Sequence, residues 1–265
     1  MDNNLPFTIE SWLSSFLPEI QKQLNIPDDD QSVVNYWYKE GLRSQELEFN
    51  FLSDKDKIVC FAAGPSLVTY TKYLDEINRK KIAVCSADGA TRWLVEQGCY
   101  PDYVATDLDG LRISMIDELL EYGVQLQVLT HGDNYEKVKN LLNSLSSEKL
   151  SQISFSTQGK PHLGWKNTLG FTDGDRLVCS LITKQLPLLC LGYDLNADEI
   201  GRYSKPEYLH NMPMNNRKKA KLQIAMQIFQ WISNHFTFYA PDNRLPMANR
   251  IDSYDFLRND LTKTL

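Results

Sequence analysis

Residues 87–110 read ADGATRWLVEQGCYPDYVATDLDG, and their interpretation decides the fold. A helix-like run, TRWLVEQG, sits in the middle, and a short apolar run, DYVAT, follows it. Small residues, glycine and aspartate bound both. Asp88, Asp107 and Asp109 therefore stand where strands end and turns begin. Carboxylates crowded together repel, so this placement calls for a cation, a proton or abundant water.

The same rhythm extends in both directions. KIVCFAA ends in GPS, KIAVCSA in DGA and QLQVLT in HGDN, each followed by a helical pattern. Further strands are expected at QISFST and LPLLCLG, with a helix from about residue 173 to 185 between them. Short, wholly apolar runs alternating with amphipathic helices predict an α/β fold, a mainly parallel sheet with helices on both faces. Ligands of such sheets bind beyond the carboxyl ends of the strands. Five polar clusters fall at those ends: Gly64-Pro65-Ser66, Asp88-Gly89, Asp107 to Asp109, His131 to Asn134, and GFTDGDR at 170–176. Their coincidence locates a site.

Residues 1–50 read as a separate, largely helical region. IESWLSSFLPEIQKQL carries Ile9, Trp12, Leu13, Phe16 and Ile20 at helical spacing, and IPDDDQS breaks the pattern. VVNYWYKEGLRS is either a second helix or an irregular arm. Residues 51–240 form the α/β domain and 241–265 a C-terminal tail. After Gly192 the chain reads as a long loop, NADEIGRYSKPEYLHNMPMNN, and then as a helix, RKKAKLQIAMQIFQWI.

Composition sets the outer limits. A net charge of -6, with 42% apolar and 23% charged residues, is that of a globular chain and disfavours general nucleic-acid or anionic-membrane binding. The five cysteines show no zinc spacing and read as reduced core residues. The acidic opening MDNNLPFTIESW does not look like a signal peptide, and no apolar run approaches a membrane span, so a cytoplasmic protein is expected.

Asp107 and Asp109, one residue apart, project to the same side of an extended chain, roughly 7 Å from each other. That suits two oxygen ligands for Mg²⁺; the alternative is a polar turn. His131 reads as an acid–base group, a phosphate contact or an edge residue, and Asp133 as a further carboxylate of the site or a helix cap. Thr172 with Asp175 resembles a capping arrangement, and Asp173 and Arg176 sit at the same helix start, which is also an anion site. Gly64, Pro65 and Ser66 either let backbone approach a nucleotide or make a plain turn. Arg217, Lys218, Lys219 and Lys221 crowd a helix start, where the macrodipole disfavours cations. They form either a solvated face or a phosphate clamp.

Together GPSL, ADGAT…G…PDYVATDLDG, HGDN and GFTDGDR resemble the archaeal 6-hydroxymethyl-7,8-dihydropterin pyrophosphokinases, a group related in its catalytic core to the thiamin pyrophosphokinases. The resemblance covers roughly residues 57–232. It implies a thiamin-pyrophosphokinase-like catalytic core and a Mg²⁺-dependent transfer of pyrophosphate from ATP to a reduced pterin, releasing AMP. It further implies an acidic metal site of Asp88, Asp107, Asp109 and Asp133, with Asp107, Asp109, Asp133 and His131 as the catalytic set. Gly64, Pro65, Ser66, Asp88, Gly89, Thr172, Asp173, Asp175, Arg176 and Lys218 fall on the nucleotide side. Gln158, Trp165 and Phe171 are candidates for the pterin pocket. Two rival readings keep the reaction and change the acceptor to thiamin, or make the chain a nucleotide-sugar glycosyltransferase; a non-catalytic nucleotide-binding module ranks lower.

Overall fold

The computed structural model describes residues 1–46, 48–78 and 81–259. Its centre is an eight-stranded sheet: β1 (Lys57–Phe61), β2 (Ile82–Ala87), β3 (Tyr103–Thr106), β4 (Gln125–Leu129), β5 (Ile153–Ser156), β6 (Leu188–Leu191), β9 (Tyr239–Ala240) and β10 (Asn249–Arg250). The remaining pair, β7 (Glu199–Ile200) and β8 (Met212–Pro213), forms a small antiparallel ribbon apart from the sheet. The order is β10-β9-β6-β1-β2-β3-β4-β5, with every pairing in the sheet parallel.

The apolar runs follow from burial on both faces. In β1, Ile58 and Cys60 pack with the helices Asp173–Ile182 and Asn216–Ser233, while Val59 and Phe61 pack with Trp93, Leu94 and Phe256. Further along the sheet, Val104, Leu126 and Val128 pack under the helices Ile113–Glu121 and Tyr135–Ser144. A strand with two covered faces has no solvent side, and its sequence shows no alternation. All five cysteines are buried, as small core residues, and none is joined in a disulfide. Among the described residues no helix is long and apolar enough to cross a membrane.

The chain runs from β1 outward to β5, then returns to lay β6 on the opposite flank of β1. The order reverses there, and the loops after β1 and β6 meet, the Gly64 N–H donating to the Gly192 carbonyl at 3.0 Å. A crevice lined by both loops lies beyond these strand ends, the usual ligand position in such sheets. Segment 194–214, which carries the β7–β8 ribbon, crosses this edge. It rests on Gly89, where an added Cβ would lie 1.8 Å from the Tyr203 carbonyl oxygen.

The N-terminal region is helical, with Ile9–Ser11 and Leu17–Leu24 joined by a wider π-type turn over Trp12–Phe16. VVNYWYK belongs to a regular helix, Asp30–Lys39, and not to an irregular arm. Trp12, Phe16, Leu17 and Ile20 are buried in the same cluster as β1 and β2, so the region docks on the sheet domain. Phe16 stacks on Trp231 with ring centroids 4.3 Å apart, and the Trp231 indole N–H donates to the Leu5 carbonyl at 2.7 Å. At the other end, β10 extends the sheet edge and the helix Ser253–Arg258 packs on one face through Phe256 and Leu257, while residues 260–265 of the expected tail lie outside the described residues.

Candidate active site

Three carboxylates converge at the carboxyl edge of the sheet. β2 delivers Asp88, β3 delivers Asp107, and the helix Asp173–Ile182 contributes its first residue. One oxygen from each lies within 4.8 Å of the others. Asp88 adopts a left-handed conformation, φ 42°, is buried, and accepts from the Thr106 hydroxyl at 2.6 Å. Burial, then the charge of Asp107, push its carboxyl up to about 7 despite that bond and one from the Gly110 N–H. Asp173 is held by Arg176, whose Nη1 donates to it at 2.9 Å and whose Nη2 donates to the Phe171 carbonyl at 2.8 Å. Burial and Asp107 raise the Asp173 carboxyl well above the usual range, against the pull of Arg176. Acids raised by burial and mutual repulsion are relieved by a cation, and oxygen donors suit a hard one.

This trio differs from the ligand set expected from the sequence. Asp173, read there on the nucleotide side, joins Asp88 and Asp107, because a helix start directs its first side chain over the strand ends. Asp109 is engaged elsewhere, by Lys137 and by Lys205 at 3.5 Å. Burial works against ionisation, but those two cations hold its carboxyl below the ordinary value. Asp133 is exposed on the rim, in the turn capped by His131. His131 Nδ1 accepts from the Asp133 N–H at 3.3 Å, which leaves Nε2 as its unused ring nitrogen. Burial lowers its pKa, and Arg176 and Lys221 reinforce this against the pull of Asp107 and Asp133.

Asp175 and Ser66 are spent on structure. The Asp175 carboxylate is fully buried and accepts from the Thr172 hydroxyl at 2.6 Å and the Thr172 N–H at 3.1 Å, completing a capping box. Ser66 turns inward, donating through its N–H and hydroxyl to Asp194 at 2.6 and 2.7 Å. Gly64 and Pro65 do line the crevice, together with Gly89, Thr172, Asp173 and Lys218. Trp165 is a core residue whose indole N–H donates to Thr130 Oγ1 at 3.0 Å, whereas Gln158 and Phe171 line a cavity.

Opposite the carboxylates stands the basic helix start. Asn215 caps it through a bond from the Lys218 N–H at 2.8 Å, and Arg217, Lys218 and Lys221 line the cleft that holds Asp88, Asp107 and Asp173. Lys219 is exposed on the outer side. Burial and Lys221 lower the pKa of Lys218, while Asp173, Asp107 and Asp88 pull it back up.

Several residues of the site carry roles that the sequence did not show. Asn134, within the His131–Asn134 cluster, donates to the carbonyls of Leu129 and Asp107, at 2.6 and 3.1 Å, and so locks two strand ends together. Thr106, Lys137, Asp194 and Lys205 join it. Asp194 follows an apolar strand and a glycine, the signal that picked out the other clusters, and was detectable. Lys137 and Lys205 carry no local mark.

Comparison with known proteins bears on this geometry. Residues 36–199 match a family model described as 6-hydroxymethylpterin diphosphokinase MptE-like. Three relatives are each named 6-hydroxymethyl-7,8-dihydropterin pyrophosphokinase. That of Methanothermobacter thermautotrophicus is 30% identical over 228 residues, covering 84% of this chain and 93% of the relative. For Pyrococcus furiosus the figures are 34% over 204 residues, 76% and 79%. For Methanocaldococcus jannaschii they are 30% over 190 residues, 67% and 75%. A solved MAf glycosyltransferase from Magnetospirillum magneticum AMB-1 superposes with a TM-score of 0.43 and 11% identity over 80% of this chain and 34% of its own, too weak a likeness to carry an argument. With the model matched over more than half the chain and a relative aligned over nearly its whole length, the chain belongs to the 6-hydroxymethylpterin diphosphokinase MptE-like family.

Proposed function

We propose that this protein transfers pyrophosphate from ATP to the hydroxymethyl group of 6-hydroxymethyl-7,8-dihydropterin and releases AMP, with Mg²⁺ held by Asp88, Asp107 and Asp173. The observation that carries the reading is the three-carboxylate cluster facing Arg217, Lys218 and Lys221 across one cleft. The names of the relatives support the acceptor. When bound, Mg²⁺ supplies charge neutralisation to the triphosphate oxygens.

The protein's own groups do the rest. Arg217, Lys218 and Lys221 bind phosphate oxygens through charge-assisted hydrogen bonds. Thr106 and Arg176 orient Asp88 and Asp173. The acceptor oxygen attacks the β-phosphorus, the bond to the oxygen bridging the α- and β-phosphorus breaks, and AMP departs with that oxygen. His131 Nε2 or the exposed Asp133 receives the hydroxyl proton. Catalysis of this kind rests on positioning and charge more than on a strong base.

Incubation with ATP, Mg²⁺ and a panel of acceptors tests the reading. AMP and pterin diphosphate should appear in equal amounts, and activity should vanish with chelator and return with Mg²⁺. ADP as the stoichiometric product would overturn the mechanism. A preference for thiamin would keep the mechanism and discard the pterin.

A further inference from the structure

A second cavity adjoins the acidic cleft and shares Asp107, Asp133, Phe171, Arg217 and Lys221 with it. A ligand seated there would present one end to the carboxylates. Its far wall comes from the N-terminal region, through Leu17, Ile20, Ile26 and the turn at 27–30. On the pyrophosphokinase reading above, we infer that this turn completes the acceptor pocket and that Asp30 recognises the adjacent N–H donors of a 2-amino-4-oxopyrimidine ring.

The turn is seated tightly on the sheet domain. A Cβ on Gly132 would lie 2.3 Å from Asp29 Oδ2, and one on Gly159 would lie 2.7 Å from the Asp30 Cβ. The helix before the turn is tied to the same loop, since the Trp12 indole N–H donates to the Gln158 carbonyl at 2.8 Å. The turn is thus fixed against the His131 and Gln158 loops.

Asp30 is only 6% exposed, and it accepts from the Gln158 backbone N–H. The attractive charge that reaches it, Arg176, makes its own ion pair with Asp173. A carboxylate offers about four acceptor positions, so most of Asp30's capacity is open. A buried carboxylate with so few donors is costly to keep unless a ligand supplies them.

The chemistry selects the ring. In a 2-amino-4-oxopyrimidine the ring N–H and the exocyclic amine lie side by side, a fork that a carboxylate accepts as it accepts guanidinium. Adenine and the aminopyrimidine of thiamin set a ring acceptor beside the amine and do not match. Phe171 and Ile26 supply apolar surface for the ring.

The test compares 6-hydroxymethylpterin with 6-hydroxymethyllumazine, which carries oxygen in place of the 2-amine, by fluorescence binding to the full chain. The unaltered protein should prefer the pterin by about tenfold or more, since sites built to bond an N–H reject analogues without it. Asp30→Asn should bind the pterin about tenfold more weakly, lose the preference and keep its affinity for ATP. Equal binding of the two rings by the unaltered protein, or unchanged pterin affinity in Asp30→Asn, would overturn the inference; the first comparison needs no variant to fold. Discrimination between the rings without any pterin turnover would sink the pyrophosphokinase reading and leave the ring assignment standing.

Discussion

Arg176 donates to Asp173 Oδ1 at 2.9 Å from three residues along the same helix, and it thereby holds that carboxylate beside Asp88 and Asp107. The guanidinium is buried and makes its second bond to the Phe171 carbonyl. Its role is to position. Asp173→Asn should nearly abolish turnover while leaving thermal stability unchanged or raised, because one of several repelling acids is removed. Arg176→Lys retains the charge and loses the fork, so kcat should fall at least about tenfold with little change in the KM for ATP. Full activity in Asp173→Asn would remove Asp173 from the site.

The basic helix start divides into facing and outward residues. Lys218→Ala with Lys221→Ala should raise the KM for ATP by about tenfold or more, as expected for lost charge-assisted contacts. Lys219→Ala, on the outer side, should change nothing. Steady-state kinetics at varied ATP decides, and equal effects at all three positions would reduce the cluster to a diffuse field.

Gly89→Ala probes segment 194–214. The backbone at Gly89 has φ -58°, which alanine adopts without strain, so the cost comes from the clash with the Tyr203 carbonyl. A stability loss of about 1–3 kcal/mol is expected if the segment stays in place. If it lifts instead, Lys205 leaves Asp109, and limited proteolysis should cut faster within 194–214. Unchanged unfolding and unchanged proteolysis together would show that the contact is absent in solution.

The pH dependence of stability should report Asp30. Burial, then Asp29 and Asp28, raise its carboxyl from 3.8 to about 6. The fold therefore favours the protonated form, and its contribution is full below the unfolded value and lost as pH rises through about 6. Asp30→Asn should match the parent near about pH 4 and exceed it by about 2–3 kcal/mol at about pH 8. Denaturant unfolding at the two pH values measures this. A variant less stable at the higher pH would mean that the ionised group has a partner that holds it.

The fold was readable because its strands are buried on both faces. IVCF at 58–61 and IAVC at 82–85 are apolar without a break, and glycine, proline or aspartate follows each within a few residues. The same punctuation exposed Asp88 and Asp107. It left Asp109 ambiguous, since one-residue spacing constrains only a chain that stays extended, and Leu108 turns with φ 68°. Asp30 was invisible: nothing local distinguishes it from Asp28 and Asp29, and only docking of Trp12 and Phe16 carries it to the His131 loop. β9 and β10, two residues each, are too short to show any periodicity.

The contact of Phe16 with Trp231 also has a consequence for synthesis on the ribosome. The segment that carries Phe16 emerges long before its aromatic partner Trp231 is made. Until then Trp12 and Phe16 lack the surface that buries them. Parallel pairing adds to the delay, because β1 waits for β6 to flank it and the central strand pairs need long connections. The nascent chain therefore holds an unburied aromatic face for longer than a chain built from neighbouring contacts, and its yield on expression should depend on chaperone supply.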